Sequence, residues 1–270
     1  MKIAYTIGTP ETNGPMFAYQ GDLGKILEEL KSIGYDGIEP FVRNPKDMDI
    51  GNFVKLVEKS GLEVAAVGTA PIIEDKLTLT DNSAEVRKAA IARVKDIVDF
   101  ASVFGAKVNI GKSRGVFPED KKDEAWKWLQ QGMEDICEYA GQKGLSVAIE
   151  PQNKKNINNL NTTQEGLSWI ENTGINNLFI LLDTYHMCVE DISIVASLVE
   201  ANTKNCHMHI ADSNRGIPGQ GSIDFVEVLM ILKALKYDGY LSLEIAQLPD
   251  PSSAARQSWE YLNRIRMQLD

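Results

Sequence analysis

Cysteine, long apolar runs and clustered positive charge are all scarce in this chain, and each scarcity removes a class of function. The three cysteines, Cys137, Cys188 and Cys206, are an odd set with no CxxC spacing. Free thiols in a reducing compartment is the simplest reading. No apolar stretch approaches the roughly 20 residues that span a bilayer, and Met1 to Gly8 turns polar too early for a signal peptide. A cytoplasmic protein with no membrane partner is expected. Basic runs and aromatic-interleaved basic patches are absent, and the net charge is −10. A polyanion rewards clustered Lys and Arg, so nucleic acid is not an expected partner.

What is present is core-forming residues in a repeated unit. Hydrophobic residues make up 43% of 270, enough for one barrel-sized domain spanning residues 1–270. Six times an amphipathic helix runs to a glycine and a short apolar strand follows: at Gly34, Gly61, Gly105, Gly144, Gly174 and Gly239. Glycine suits a helix stop because the left-handed conformation costs it no Cβ clash. Val94, Ile97, Val98 and Ala101 make one helical stripe, and Asn82 to Glu85 and Asn161 to Gln164 fit capping boxes. With a first strand near Ile3–Ile7 and a seventh near Asn205–Ile210, about eight strands alternate with helices. The count predicts an α/β fold, the (β/α)8 TIM barrel. A doubly wound open sheet would carry a Gly-rich phosphate loop after its first strand, and Thr6-Ile7-Gly8-Thr9-Pro10 is not one.

In such a barrel the chemistry lies at the carboxyl ends of the strands. Glu150, Asp183, His209 and Glu244 each close or extend an apolar run, on the predicted fifth, sixth, seventh and eighth strands. A single strand-end carboxylate is usually a cap or salt-bridge partner; four on consecutive strands point to a shared site, since each would otherwise be a costly buried charge. Three carboxylates and an imidazole suit Mn²⁺, Mg²⁺, Co²⁺ or Zn²⁺. His186, three residues past Asp183, is placed to reach a substrate. His207 shares a strand face with His209, either in the site or as a lower-layer core residue. Lys112 and Arg114 are the cations available to a phosphate.

The stretch from Cys206 to Phe225, with Leu182-Asp183-Thr184-Tyr185-His186-Met187 and Ile149-Glu150-Pro151-Gln152-Asn153, resembles the xylose-isomerase-like sugar isomerase/epimerase superfamily. Ketose 3-epimerases and hydroxypyruvate isomerases are the nearest groups within it. The resemblance implies one divalent ion, Mn²⁺ first among the candidates, held by Glu150, Asp183, His209 and Glu244. It implies substrate contacts from His186 and Arg215, and a proton moved next to the carbonyl of a small ketose or ketose phosphate by Glu150 and Glu244 through an enediolate. Ketose epimerases often carry a further Glu six residues past the first ligand; here that position is Asn156. The resemblance also implies a homodimer or homotetramer, to which Trp126, Trp128 and Leu129, spread around the fourth helix, would contribute.

Three other functions are weighed. An inosose dehydratase-type lyase also begins by abstracting a proton beside a carbonyl. An endonuclease IV-like repair enzyme needs further histidines after the third and fourth strands, where Val67-Gly68-Thr69-Ala70 and Val108-Asn109-Ile110-Gly111 have none. A non-catalytic sugar-binding barrel would not need both Glu150 and Glu244.

Overall fold

The computed structural model describes residues 1–14 and 16–269. Strands and helices alternate as β1 (Lys2–Gly8), α1 (Leu23–Ile33), β2 (Gly37–Phe41), α2 (Ile50–Ser60), β3 in two pieces (Glu63–Val64 and Ala66–Gly68) and α3 (Ala84–Ser102). They continue as β4 (Lys107–Ile110), α4 (Lys122–Gln142), β5 (Val147–Ile149), α5 (Thr163–Thr173), β6 (Leu178–Asp183), α6 (Thr184–Glu190) and α7 (Ile194–Ala201). The last elements are β7 (Asn205–Ile210), α8 (Phe225–Ala234), β8 (Tyr240–Leu243) and α9 (Pro251–Leu269). Neighbouring strands pair in parallel, and β1 bonds both β8 and β2, so the sheet closes into the expected (β/α)8 barrel.

Strand register sorts the side chains into two layers. Ile3, Tyr5, Ile38, Val108, Val147, Ile180, Met208 and Leu241 belong to the large apolar cluster that includes Leu27 of α1, Val94 of α3 and Leu229 of α8. The residues between them share the opposite, inner face. Thr6 lies beside Glu39, Asn109 beside Ala148, and His209 beside Ser242. The hydrophobic core is therefore the shell between strands and helices, and the barrel interior is small and polar.

Gly34, Gly61, Gly105, Gly144 and Gly174 all take positive φ. Gly239 does not: α8 stops at Ala234 and Lys236 makes the left-handed turn at φ 57°. Space is what Gly239 supplies, because a Cβ there would stand 2.5 Å from the Tyr237 hydroxyl, itself tied to the Tyr240 carbonyl at 2.8 Å. Both caps shift by one residue, and only the one on α5 is a box. Ser83 caps α3, and Thr162 with Glu165 forms the reciprocal box on α5. Asn161 instead turns its side chain away from α5, its amide nitrogen donating to the Gln152 and Ile157 carbonyls.

Arg114 is fully buried rather than available to a phosphate. Its guanidinium donates to Asn159 Oδ1 and to the carbonyls of Gly111, Glu150, Asn159 and Leu160, at 2.7 to 3.2 Å. The Glu150 carbonyl ends β5, so Arg114 clamps the loops after β4 and β5 at that strand end. Arg114→Met keeps volume and strands five acceptors. We expect a loss of about 3–5 kcal/mol and a melting temperature lower by on the order of 10 °C. An unchanged melting curve would show that the clamp stabilises nothing.

On α4, Leu129 is buried and Trp128 lies under the Arg87 guanidinium at 4.1 Å. Trp126 packs edge-on against Phe117 at 4.8 Å and stays 36% exposed. Two of the three residues assigned to a partner are thus covered within the chain. The three cysteines are unpaired. Among the described residues no helix is long and apolar enough to cross a membrane.

Candidate functional site

Four strand ends converge on one point. Glu150, Asp183, His209 and Glu244 each bring one ligand-type atom into a group whose members all lie within 4.8 Å of one another. They are between 1% and 9% exposed. His209 Nδ1 is central, 3.0 Å from Glu244 Oε2, 3.3 Å from Glu150 Oε1 and 4.0 Å from Asp183 Oδ2.

Local bonding decides which oxygens face that point. Asp183 ends β6 and caps α6, so its Oδ1 accepts from the Tyr185 amide at 2.8 Å and Oδ2 is left for the site. Glu150 Oε2 accepts from Gln152 Nε2 at 2.6 Å, which leaves Oε1 facing His209. The Arg215 guanidinium closes the group with short contacts to Asp183 Oδ2 and Glu244 Oε2. Arg215 is 7% exposed rather than a surface cation. Phe17 and Tyr185 flank its guanidinium, with ring centres 5.0 and 5.1 Å away.

The loop after β7 presents Arg215 from a strained backbone, φ 60°. Asp212 holds that loop: fully buried, it accepts from the Ser213, Ile223 and Gly219 amides at 2.7 to 3.1 Å. A side chain at Gly221 would meet the Asp212 carboxylate at 2.2 Å. Asp212, the buried residue at the root of that loop, was not singled out in the sequence.

His186 stands beside the four, its Nε2 4.0 Å from Glu150 Oε1. Its tautomer follows from its neighbours. Asn153 Oδ1 accepts from the Lys155 amide at 3.0 Å, which turns Asn153 Nδ2 toward His186 Nδ1 at 2.8 Å. The Asn153 backbone amide also donates to that nitrogen at 3.4 Å. Nδ1 is therefore an acceptor, and a neutral His186 carries its proton on Nε2, aimed into the site.

His207 is not one of the four. It is fully buried one layer deeper, with Nε2 2.7 Å from Glu39 Oε2. The other Glu39 oxygen accepts from His209 Nε2 at 3.0 Å and from Asn109 Nδ2 at 2.8 Å. Sequence reasoning passed over Glu39, although Gly37-Ile38-Glu39 shows the same apolar-then-acid pattern. Asn156 is exposed on the loop after β5.

The charges are strongly coupled. Burial disfavours the charged imidazole of His209, yet the Glu39 and Glu244 carboxylates hold its pKa well above the usual value. Burial would raise Glu244, but Arg215 and His209 keep it low; burial would likewise raise Glu150, and the His209 bond keeps it low. Three buried carboxylates facing one imidazole and one guanidinium make a site that favours further positive charge. Oxygen donors with one nitrogen at this spacing can hold a hard or borderline divalent cation.

Comparison with known proteins is consistent with this geometry. The sequence profile of the xylose isomerase-like TIM barrel matches residues 27–265. An L-ribulose 3-epimerase of Mesorhizobium japonicum is 30% identical over 83% of this chain and 76% of its own length. A D-psicose 3-epimerase of Agrobacterium fabrum is 26% identical over 84% and 80%. The solved structure of D-psicose 3-epimerase with D-tagatose from Clostridium cellulolyticum H10 superposes with a TM-score of 0.84 at 21% identity, covering all of both chains. That last likeness is one of fold alone.

Proposed function

The chain belongs to the xylose isomerase-like TIM-barrel family, and from that premise we propose that it is a divalent-metal-dependent ketose 3-epimerase acting on a small, unphosphorylated ketose. It is an enzyme of the sugar isomerase/epimerase type. The observation that carries the finer reading is the group of three carboxylates around His209 Nδ1, with Glu150 and Glu244 at the two ends of the β5–β8 arc. An unphosphorylated substrate is favoured because, of the two cations offered to a phosphate, Arg114 is buried and committed to carbonyls, which leaves only the exposed Lys112.

Glu150, Asp183, His209 and Glu244 would hold the ion, with Mn²⁺ the first candidate. When bound, it supplies Lewis-acid polarisation of the ketone and acidifies the neighbouring C–H. His186 donates from Nε2 and Arg215 from its guanidinium to the oxygens on which enediolate charge develops. One glutamate, ionised, takes the proton from the carbon beside the carbonyl. The other, protonated, delivers its own to the opposite face, so the centre inverts. Each turnover leaves the two carboxyls exchanged, and solvent resets them. Gln152 fixes one oxygen of Glu150 while the other works. Burial of the four side chains excludes water from the intermediate.

Residues 1–270 act as one domain in this proposal, in the cytoplasm and as a homodimer or homotetramer. Light scattering showing only monomer at micromolar concentration would count against the assembly. Function is tested by incubating the Mn²⁺-loaded protein with a panel of ketoses in deuterated water. The expected product is the C3 epimer with one deuterium at C3. An aldose product, or loss of water from the substrate, would move the assignment to an isomerase or a lyase.

A further inference from the structure

We propose that Glu39 is a positioning residue for the metal site, holding the His209 ring so that Nδ1 faces Glu150, Asp183 and Glu244. The inference rests on the reading that those four side chains bind a divalent ion.

Glu39 comes from β2, and β1 and β8 intervene between it and β7. It is fully buried inside the barrel. A carboxylate there is costly unless every oxygen is used, and here both are. Oε1 accepts from His209 Nε2 at 3.0 Å and Asn109 Nδ2 at 2.8 Å, and Oε2 accepts from His207 Nε2 at 2.7 Å. Ionised, Glu39 can only accept. The proton His209 keeps when it binds an ion therefore sits on Nε2, and the lone pair is left on Nδ1, the nitrogen that faces the three other carboxylates.

His207 and Asn109 hold Glu39 from the far sides, so the carboxylate cannot swing away from His209. His207 lies beside Leu181 and His209 beside Asp183 in the β6–β7 register, which sets the two imidazoles one layer apart. Their rings meet nearly edge-on, with centres 5.6 Å apart and planes at 85°. The buried triad thus transmits a fixed position from the barrel interior to the one nitrogen donor of the site. An outer partner of this kind orients a ligating histidine and raises its basicity, and its loss typically costs ten- to a hundredfold in metal affinity.

Glu39→Gln tests this. The amide can accept from only one imidazole, and its NH₂ group must face the other. Stripped full-length protein is titrated with Mn²⁺ by calorimetry. Affinity is expected to fall about ten- to a hundredfold while circular dichroism keeps its barrel signature. In Zn²⁺-loaded, ¹⁵N-histidine-labelled wild type, nitrogen shifts should place the His209 proton on Nε2, and in the variant that signature should change. Glu39→Asp keeps the charge but retreats by one methylene, which covers the case in which the amide variant does not fold; its affinity should be intermediate. Wild-type affinity in a folded variant, with the His209 shifts unchanged, overturns the role of Glu39. Failure of unsubstituted protein to bind Mn²⁺ overturns the metal reading itself.

Discussion

Glu150→Gln and Glu244→Gln are each expected to reduce ketose epimerisation by about 10²–10⁴-fold or more, because each removes one half of a two-sided proton transfer. Both residues are also proposed ligands, so lost turnover alone does not separate proton transfer from metal loss. Deuterium exchange in a variant that retains its metal separates them. The surviving carboxylate can still remove and return a proton on its own face, so substrate carbon picks up deuterium without inversion. Neighbouring geometry makes the metal check essential at Glu150. Gln152 Nε2 sits 2.6 Å from Glu150 Oε2, so a glutamine that presents its carbonyl oxygen there turns its NH₂ group, which cannot hold a cation, toward the site. If either variant keeps full epimerase activity, the two-base account is wrong, and a one-base isomerase assisted by His186 takes its place.

Removing the metal is expected to be as severe. Chelation should abolish turnover, and adding back Mn²⁺ should restore it. The same ion should stabilise the fold, because the four donors come together only in the closed barrel. At a free concentration one hundred times Kd the gain is about 2.7 kcal/mol, which raises the melting temperature by roughly 5–10 °C. Full turnover in metal-stripped protein would show that Arg215 and His186 suffice to stabilise the oxyanion.

Most of the barrel, and the four converging side chains, were legible because both follow from local patterns. β5 to β8 are short apolar runs with a chemistry-bearing residue at or next to their ends, and those ends lie next to one another in the sheet. Glu39 escaped the same reading because β2 does not end there. Pro40 and Phe41 continue the strand, which puts the carboxylate inside the barrel rather than at its mouth. Its partner His209 lies 170 residues away, a contact that no local spacing encodes. Arg114 read as a loop cation for a similar reason: a lone Arg between Gly111 and Gly115 looks solvated until the loop after β5 folds over it. The caps moved by one residue because Asn and Ser or Thr stand side by side at both helix starts, and at α5 the bonds that Asn161 makes to the Gln152 and Ile157 carbonyls draw it away from the cap. Asn153 stood in a quoted signature, but its role beside His186 was not legible, since that lies in the direction of one amide.

The account depends most on one ion held by four named side chains. Anomalous diffraction from crystals grown with Mn²⁺ tests it most directly. The account predicts a single site bonded to Glu150, Asp183, His209 Nδ1 and Glu244, with Glu39 still on His209 Nε2. An ion bound elsewhere, or a cluster of three at the barrel mouth, would contradict it.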